Sequence, residues 1–184
     1  MQVFAQKGVA KTKMIDIATT AGVGKGTIYE YFASKEDIFR EAFNFVYSES
    51  ELIIEEAINS TDDPEEKLRY IIEISLTSFI EKSNDFIGIM MEFWAEGVRN
   101  KNQDVLKIID LEGLYGKMRQ MINGILQEGI AQGKFRELDT ISTASILIGS
   151  FDGLMLQWIM NPELIDFKGA VQTLLDLTLY GIRK

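Results

Sequence analysis

The sequence predicts an all-α protein with about nine helices and no convincing strand. Only two prolines occur in 184 residues. Because proline interrupts helices and is common in the turns of β proteins, this scarcity favours long helices. Apolar residues recur at spacings of three and four in several segments, which is the period of an amphipathic helix. Start and stop signals divide these segments from one another, so each element can be given bounds in turn.

The N-terminal part begins with short helices separated by glycine. Thr12 is the expected N-cap of a helix over 13–20, and Gly22 after it is free to adopt the positive φ that ends a helix. A second short helix follows this turn. The segment 34–37 (Ser-Lys-Glu-Asp) is typical of a capping box with Asp in place of the usual Glu. It predicts a long amphipathic helix that ends near Asn59.

The rest of the chain carries equally clear boundaries. The segment 63–66 (Asp-Pro-Glu-Glu) supplies a capping Asp, Pro at the first helical position and Glu at the third. Further bounds are expected at Phe86 and Val98 for a short, very apolar helix, at Asp104 and Gly133 for a longer one, and at the N-caps Asp139 and Asp166 for the last two. Because the loops are short, we expect two packed domains, residues 1–46 and 47–184, without a flexible linker.

The composition excludes most enzyme chemistries. The chain has no cysteine and no histidine, which removes disulfides, thiolate metal sites and the Cys-His and Ser-His-Asp triads. The dense acidic clusters at 62–63 and 65–66 are explained by helix capping, and no phosphate loop, EF-hand loop or metal-ligand spacing is present. The sequence therefore predicts a protein that is not an enzyme and has no metal and no cofactor.

Charge is distributed unevenly along the chain. The net charge is −9 and the isoelectric point is near 4.6, which taken alone points away from nucleic acid. Residues 1–35, however, hold five lysines against two acidic residues, a net charge of +3, which leaves −12 for the remainder. A basic segment on an acidic body fits a protein in which one part alone contacts DNA. We find no signal peptide and no unbroken apolar run of the ~20 residues that a membrane span needs, so we expect a cytoplasmic protein without membrane contact.

Residues 12–39 have the pattern of a helix-turn-helix, in which two short helices are joined by a tight turn that contains glycine. Ala18 is small where the two helices must cross closely. The expected core consists of Ile17, Val23, Ile28 and Phe32, with Val23 and Ile28 spaced as a hydrophobic staple. The opposite face of the second helix offers donors, aromatic hydroxyls and a glycine that permits close approach, all suited to phosphates and base edges. These residues are Lys25, Gly26, Thr27, Tyr29 and Tyr31.

This segment resembles the tetracycline-repressor (TetR) family of bacterial transcription regulators. The resemblance rests on an ordered set of residues: Thr12, Ile17-Ala18, Ala21-Gly22-Val23, Lys25-Gly26-Thr27-Ile28-Tyr29, Tyr31-Phe32 and Ser34-Lys35-Glu36. It implies a homodimeric repressor that binds double-stranded operator DNA and is released by a small-molecule effector, which we expect to be apolar, bound in its helical body. The candidate DNA-binding residues are Thr12, Lys13, Lys25, Gly26, Thr27, Tyr29, Tyr31 and Lys35.

Two features depart from the family's pattern. The family's first helix usually begins well before a position equivalent to Met1, so residues 3–7 are expected to form only its last part. Gly24 stands where the family often has Ser, and since glycine is a tolerated N-cap we expect little effect. The alternative function is a helical protein-interaction adaptor that has lost DNA binding, and a salt-dependent operator-binding assay separates the two.

Apolar and aromatic side chains in the helical body are the candidates for an effector site. The segment 86–94 is apolar nearly all round, which predicts a buried helix, and adaptable methionines suit a site for apolar ligands. The candidates are Phe79, Met90, Glu92, Phe93, Trp94, Leu114, Tyr115, Met118, Met121, Ile122, Phe151 and Met155. The same residues also suit a solid core, and Glu92 either meets a ligand or faces solvent. The sequence leaves these alternatives open.

Small residues spaced four apart mark the candidate dimer interface. Ser145, Gly149 and Gly153 fall on one stripe of the helix after Asp139, and such residues let helices of two subunits approach closely. The full candidate set is Ser145, Ile146, Gly149, Gly153, Gln157, Trp158, Leu174, Leu177, Thr178 and Gly181. The alternative is a packing groove within one chain.

Overall fold

The computed structural model of the chain describes residues 2–78, 80, 91 and 110–184. Within these residues it contains eight helices and no strand, apart from one isolated bridge between Phe135 and Arg183. The helices are α1 (Gln2–Lys7), α2 (Met14–Ala21), α3 (Lys25–Tyr31), α4 (Lys35–Asn59), α5 (64–78), α6 (Leu111–Ala131), α7 (Thr140–Met160) and α8 (Phe167–Ile182). The all-α prediction is confirmed. The predicted helix Phe86–Val98 and the predicted helix start at Asp104 lie outside the described residues.

Capping residues end and begin several helices where the sequence predicts. Gly22 has a φ of +69°, and the N–H of Val23 donates to the Ala18 carbonyl at 3.0 Å, which closes the end of α2. Asp139 and Asp166 cap α7 and α8, since each carboxylate accepts a hydrogen bond from the backbone N–H three residues on, at 3.0 and 3.1 Å. These signals act between close neighbours in the chain, which is why they are legible in the sequence.

The starts of α4 and α5 are likewise confirmed, with one difference. The Ser34 hydroxyl accepts from the N–H of Asp37 at 3.1 Å, but the Asp37 carboxylate accepts in return from the N–H of Ala33 rather than of Ser34. Only half of the predicted capping box therefore forms. Asp63 caps α5 by accepting from the backbone N–H two residues on, at 2.9 Å, and Gly133 after α6 has a φ of +73° as predicted.

The prediction that Thr12 caps α2 is wrong. The N-cap is Lys13, whose backbone N–H donates to the Asp16 carboxylate at 3.0 Å. Thr12 is buried, with 1% of its surface exposed, and its hydroxyl donates to the Gly8 carbonyl at 2.7 Å. Thr12 therefore holds the turn between α1 and α2.

The predicted staple at Val23 is also wrong. Val23 is 42% exposed, while the buried residues of the helix-turn-helix are Met14, Ala18 and Ile28. Ile38 of α4 packs against this cluster together with Ile17. The apolar contact expected from Val23 is thus supplied by the next helix along the chain.

The chain divides into two compact units, with residues 2–49 in the first and residues 50–78 and 112–184 in the second. In the first, the rings of Phe4 and Phe39 meet edge to face with centroids 5.2 Å apart, and Phe43 extends this buried aromatic group. The second has a larger core drawn from α5, α6, α7 and α8, whose fully buried members include Leu68, Leu126, Leu175 and Leu179. The long helix α4 contributes residues to both units.

Helix α7 is unusual in composition. It has 21 residues and, by length and composition alone, is the one described helix apolar enough to cross a membrane. Asp152 is its only ionisable side chain. This differs from the expectation of no such segment, because Ser150, Asp152 and Gly153 interrupt the apolar run without ending the helix.

Candidate DNA interface and effector cavity

Helix α3 is held to α2 by its one buried side chain. Ile28 is 7% exposed and packs with Met14 and Ala18. The tight turn at Gly22 brings the two helices together, and Gly24 serves as the N-cap of α3. Because one face of α3 is fixed in this way, its other side chains are free to face solvent.

The remaining side chains of α3 form an exposed polar face. Tyr31 is 76% exposed and Tyr29 50%, and Lys25 and Thr27 are also exposed. The Lys25 ammonium lies 5.8 Å from the centroid of the Tyr29 ring, a cation–π contact. Around Gly26 there is open space where a side chain would stand. This face combines a cation, hydroxyls and open backbone, which are the groups that bind phosphates and base edges.

Three other predicted DNA-binding residues differ in their surroundings. Lys13 is exposed. The Lys35 ammonium donates to the carbonyls of Val9 and Ala10 at 2.7 and 2.8 Å and lies 3.8 Å from the Glu36 carboxylate. Its contact with a phosphate stays a prediction. Thr12 is removed from the DNA face, because its hydroxyl and its backbone N–H both bind the Gly8 carbonyl inside the fold.

An ion pair fixes the position of α1 against α2. The Lys7 ammonium lies 2.8 Å from the Asp16 carboxylate. The hydrogen bonds from Lys7 and from the Lys13 N–H hold the pKa of Asp16 below its ordinary value. This pair and Thr12 were not assigned these roles from the sequence, because both depend on how the first helix packs.

The second unit contains an apolar cavity of about 60 Å³ among residues of α5, α6, α7 and α8. The described residues that line it are Leu68, Ile71, Ile72, Ser75, Met118, Ile122, Leu147, Ile148, Phe151, Asp152 and Leu174. Met118, Ile122 and Phe151 are among the predicted effector residues. Leu114, Met121 and Met155 are partly buried outside this lining. The other candidates Phe79, Met90, Glu92, Phe93 and Trp94 lie outside the described residues.

One lining residue, Asp152, is hydrogen-bonded to Tyr115, which lies outside the lining. The Tyr115 hydroxyl donates to the Asp152 carboxylate at 2.8 Å. Burial raises the pKa of Asp152, although the hydrogen bond from Tyr115 acts in the opposite direction. Burial and the neighbouring carboxylate in turn raise the pKa of the Tyr115 hydroxyl. Tyr115 was predicted at the effector site but Asp152 was not, although a lone acid within an apolar helix was a usable signal.

Five of the ten predicted dimer residues are exposed on α7 and α8, two helices that pack against each other. Ile146 and Leu177 are 65% and 66% exposed, and a side chain built at Gly149, Gly153 or Gly181 would meet open space. Gln157 is exposed, and Ser145 and Thr178 are partly buried. Leu174 lines the cavity, and Trp158 stacks on Phe167 of its own chain with ring centroids 5.6 Å apart.

Two family models match this chain. Residues 1–42 match the model described as bacterial regulatory proteins, tetR family. Residues 64–178 match the model described as BetI-type transcriptional repressor, C-terminal. The first match covers α1, α2, α3 and the start of α4, and the second covers the helices that surround the cavity.

The proteins to which this chain is similar are transcriptional regulators, and the similarity extends over nearly the whole chain. The fatty acid metabolism regulator protein of Bacillus subtilis is 30% identical over 183 residues, which is 99% of this chain and 91% of the relative. The regulator TtgR of Pseudomonas putida is 26% identical over 98% of this chain and 86% of the relative. Among solved structures, FadR from Bacillus subtilis in complex with stearoyl-CoA has a TM-score of 0.78 at 30% identity, over 98% of this chain and 94% of that chain. FadR from Bacillus halodurans has a TM-score of 0.80 at 28% identity, over 98% of this chain and 90% of that chain.

Proposed function

The chain belongs to the TetR family of bacterial regulatory proteins, and we infer that its two units have separate roles in repression. It is a DNA-binding transcriptional repressor that responds to a small-molecule effector and acts as a homodimer. We propose residues 1–46 as the DNA-binding domain and residues 47–184 as the effector and dimerisation domain. Its relatives are regulators rather than enzymes, and we propose that it has no catalytic activity.

The exposed face of α3 is the observation that carries the DNA-binding proposal. We propose that α3 enters the major groove, with Lys25 and Thr27 toward phosphates and base edges and Tyr29 and Tyr31 beside them. A homodimer presents two such helices, so the operator is expected to be roughly palindromic. The acidic body then keeps contacts with DNA confined to the basic N-terminal segment.

The apolar face of α7 and α8 is the proposed dimer interface. Ile146, Gly149 and Gly153 follow one stripe of α7, and Leu177 and Gly181 follow one stripe of α8. Two copies of this face would form a four-helix seam in which the small residues allow close contact. Family members are soluble DNA-binding proteins, and we propose that this one acts in the cytoplasm, where burial in the dimer covers the apolar surface of α7.

The cavity of the second unit is the proposed effector site. Its lining is nearly all apolar, which suits an effector with a hydrocarbon body, and the 30% identical FadR binds stearoyl-CoA. An engineered protein cavity of about 150 Å³ takes up benzene. The cavity found here has a volume of about 60 Å³, so it holds only part of a molecule as large as benzene. We therefore propose that binding displaces flexible side chains such as Met118 and enlarges the site.

Helix α4 is the proposed mechanical link between effector and DNA. It is continuous over 25 residues, with Phe39 and Phe43 buried in the first unit and Ile54 and Ile58 packed against the core of the second. An effector that enlarges the cavity would favour a different position of α4, and a dimer in that state would hold its two α3 helices at a spacing unsuited to the operator.

Selection of binding sites from random DNA, followed by nuclease protection, tests this function. We expect a palindromic site whose affinity falls steeply with salt. Tyr29→Ala should weaken binding, and Lys25→Ala should weaken it while lowering the salt slope by about one. The matched control is Lys168→Ala, an exposed lysine on α8, which should change neither. A protein that selects no DNA site would favour the adaptor alternative.

A further inference from the structure

Asp152 places an acid on an otherwise apolar cavity wall. Of the eleven described residues that line the cavity, nine are apolar and two, Ser75 and Asp152, are polar. The carboxylate has one hydrogen-bond partner among the described residues, the Tyr115 hydroxyl at 2.8 Å, and no Lys or Arg of those residues pairs with it. A carboxylate accepts up to about four hydrogen bonds, so Asp152 can accept further donors from a ligand in the cavity.

The two basic side chains of α6, Lys117 and Arg119, have other partners. The Lys117 ammonium lies 3.5 Å from the Glu51 carboxylate. Arg119 donates from Nε to the Ser145 hydroxyl at 2.9 Å. Ser145 lies seven residues before Asp152, which is about 10 Å along a helix. The guanidinium is therefore engaged two turns of α7 away from the acid.

The position of Asp152 on this cavity wall is unfavourable for the stability of the folded chain. A partly buried carboxylate without a cation loses hydration that one neutral donor does not replace. The stability of the core gives no reason for an acid at this position, since Ile148 and Phe151 beside it on α7 fill the same wall with apolar groups. An ionisable group on a cavity wall without a cation beside it is instead typical of a ligand site.

We propose that Asp152 binds the polar end of the effector and that this end is a protonated amine attached to an apolar body. An ammonium group supplies the missing charge and up to three hydrogen-bond donors, and Ser75 offers a hydroxyl on the same cavity. The inference rests on the proposed function only in taking this cavity as the effector site. An amine effector would distinguish this chain from a regulator that responds to an acyl thioester. The hydrocarbon chain of an acyl thioester has no hydrogen-bond donor for the Asp152 carboxylate.

Three ten-carbon probes that differ only in head group test the proposal: decylamine, 1-decanol and decanoate. Calorimetric titration of the full-length dimer should give decylamine an affinity at least tenfold higher than that of decanol, with decanoate the weakest. Asp152→Asn should reduce the preference for the amine over the alcohol to less than threefold and leave the affinity for decanol nearly unchanged. The matched control is Asp176→Asn, an exposed acid on α8, which removes the same charge from the acidic body and should keep the preference.

Several results would overturn the proposal. It is wrong if decanol or decanoate binds as tightly as decylamine, if Asp152→Asn keeps the amine preference, if Asp176→Asn loses it equally, or if no probe binds. DNA binding by the ligand-free protein is measured separately and requires no effector. A protein that protects its operator but shows no amine preference would retain the proposed function and lose only this inference.

Discussion

The DNA-binding helix α3 and the effector cavity use their side chains in opposite ways. On α3 the candidate contacts are the residues that folding leaves free, since Tyr31 is 76% exposed and only Ile28 is buried. At the cavity the candidate contacts are the core itself, since Ile122 is 5% exposed and Leu68 only 2%. Function and stability are therefore separable in the first region and coupled in the second.

This difference has a physical cause. A surface that binds DNA gains its free energy of binding from side chains that are solvated before binding, so the fold does not depend on them. A cavity for an apolar effector must be made from apolar residues that would otherwise fill the core, so every change there also changes packing. Substitutions on α3 should therefore change binding alone, whereas substitutions at the cavity should change binding and stability together.

Gly129→Ala should strongly destabilise the second unit. A Cβ at Gly129 would lie 2.0 Å from the ring of Phe135, which is itself only 2% exposed. We expect a loss of about 3 kcal/mol in the free energy of unfolding, measured by urea denaturation. The control is Gly124→Ala on the same helix, where a Cβ meets open space and a gain of about 0.5–1 kcal/mol is expected. Equal effects of the two changes would show that the core of this unit is not closely packed.

Gly149→Leu should dissociate the dimer without unfolding the chain. A Cβ at Gly149 has no described atom of its own chain within 4 Å, so we expect a loss of assembly to arise at the interface between subunits. Light scattering should report monomers for Gly149→Leu and dimers for Gly124→Leu, the same change at an open position of α6. A stable Gly149→Leu dimer would place the interface elsewhere.

Tyr31→Ala should weaken operator binding by about tenfold or more, because a direct contact to DNA is worth about 1–3 kcal/mol. The free energy of unfolding should change by less than about 0.5 kcal/mol, as expected for an exposed side chain. Phe45→Ala, which removes a 65% exposed aromatic ring from α4, is the control that should leave DNA binding intact. A Tyr31→Ala protein that loses stability in proportion to affinity would break the separation of function from folding.

Asp152→Asn should stabilise the protein near neutral pH by an amount that shrinks in acid. Burial raises the pKa of Asp152 in the folded state, so the folded chain takes up this proton at a higher pH than the unfolded chain does. The cost of the charge is full above the folded pKa and disappears below the unfolded value of about 3.9. Urea denaturation of both proteins between pH 7 and pH 4 measures the difference. A difference that is constant with pH would contradict an effect of charge.

The features of the structure that depend on contacts between residues close in the sequence were predictable. Gly22, Asp139 and Asp166 bind backbone groups within three or four residues, and their roles were predicted correctly. Thr12 was not, because its burial depends on α1 packing beside it. The sequence could not show which alternative Thr12 would take, since a threonine before an apolar segment suits a cap equally well.

The cavity was predictable only in part for the same reason. Met118, Ile122 and Phe151 were identified as candidates for the effector site, but the pairing of Asp152 with Tyr115 joins residues 37 positions apart. Leu174 was assigned to the dimer face, which stays a prediction, and it also lines the cavity. Contacts between helices that are distant in the chain decide which residues line the cavity. The hydrophobic periodicity of a single helix does not predict those contacts.

The effector cavity and the DNA-binding helices are expected to be coupled reciprocally, which one pair of titrations measures. The affinity of the full-length dimer for decylamine is measured with and without saturating operator DNA, and the affinity for operator is measured with and without saturating decylamine. Coupling through two states of the dimer requires that both affinities fall by the same factor, with a coupling free energy of about 1–3 kcal/mol. Decylamine that dissociates the operator complex yet binds equally well with and without DNA would contradict the account.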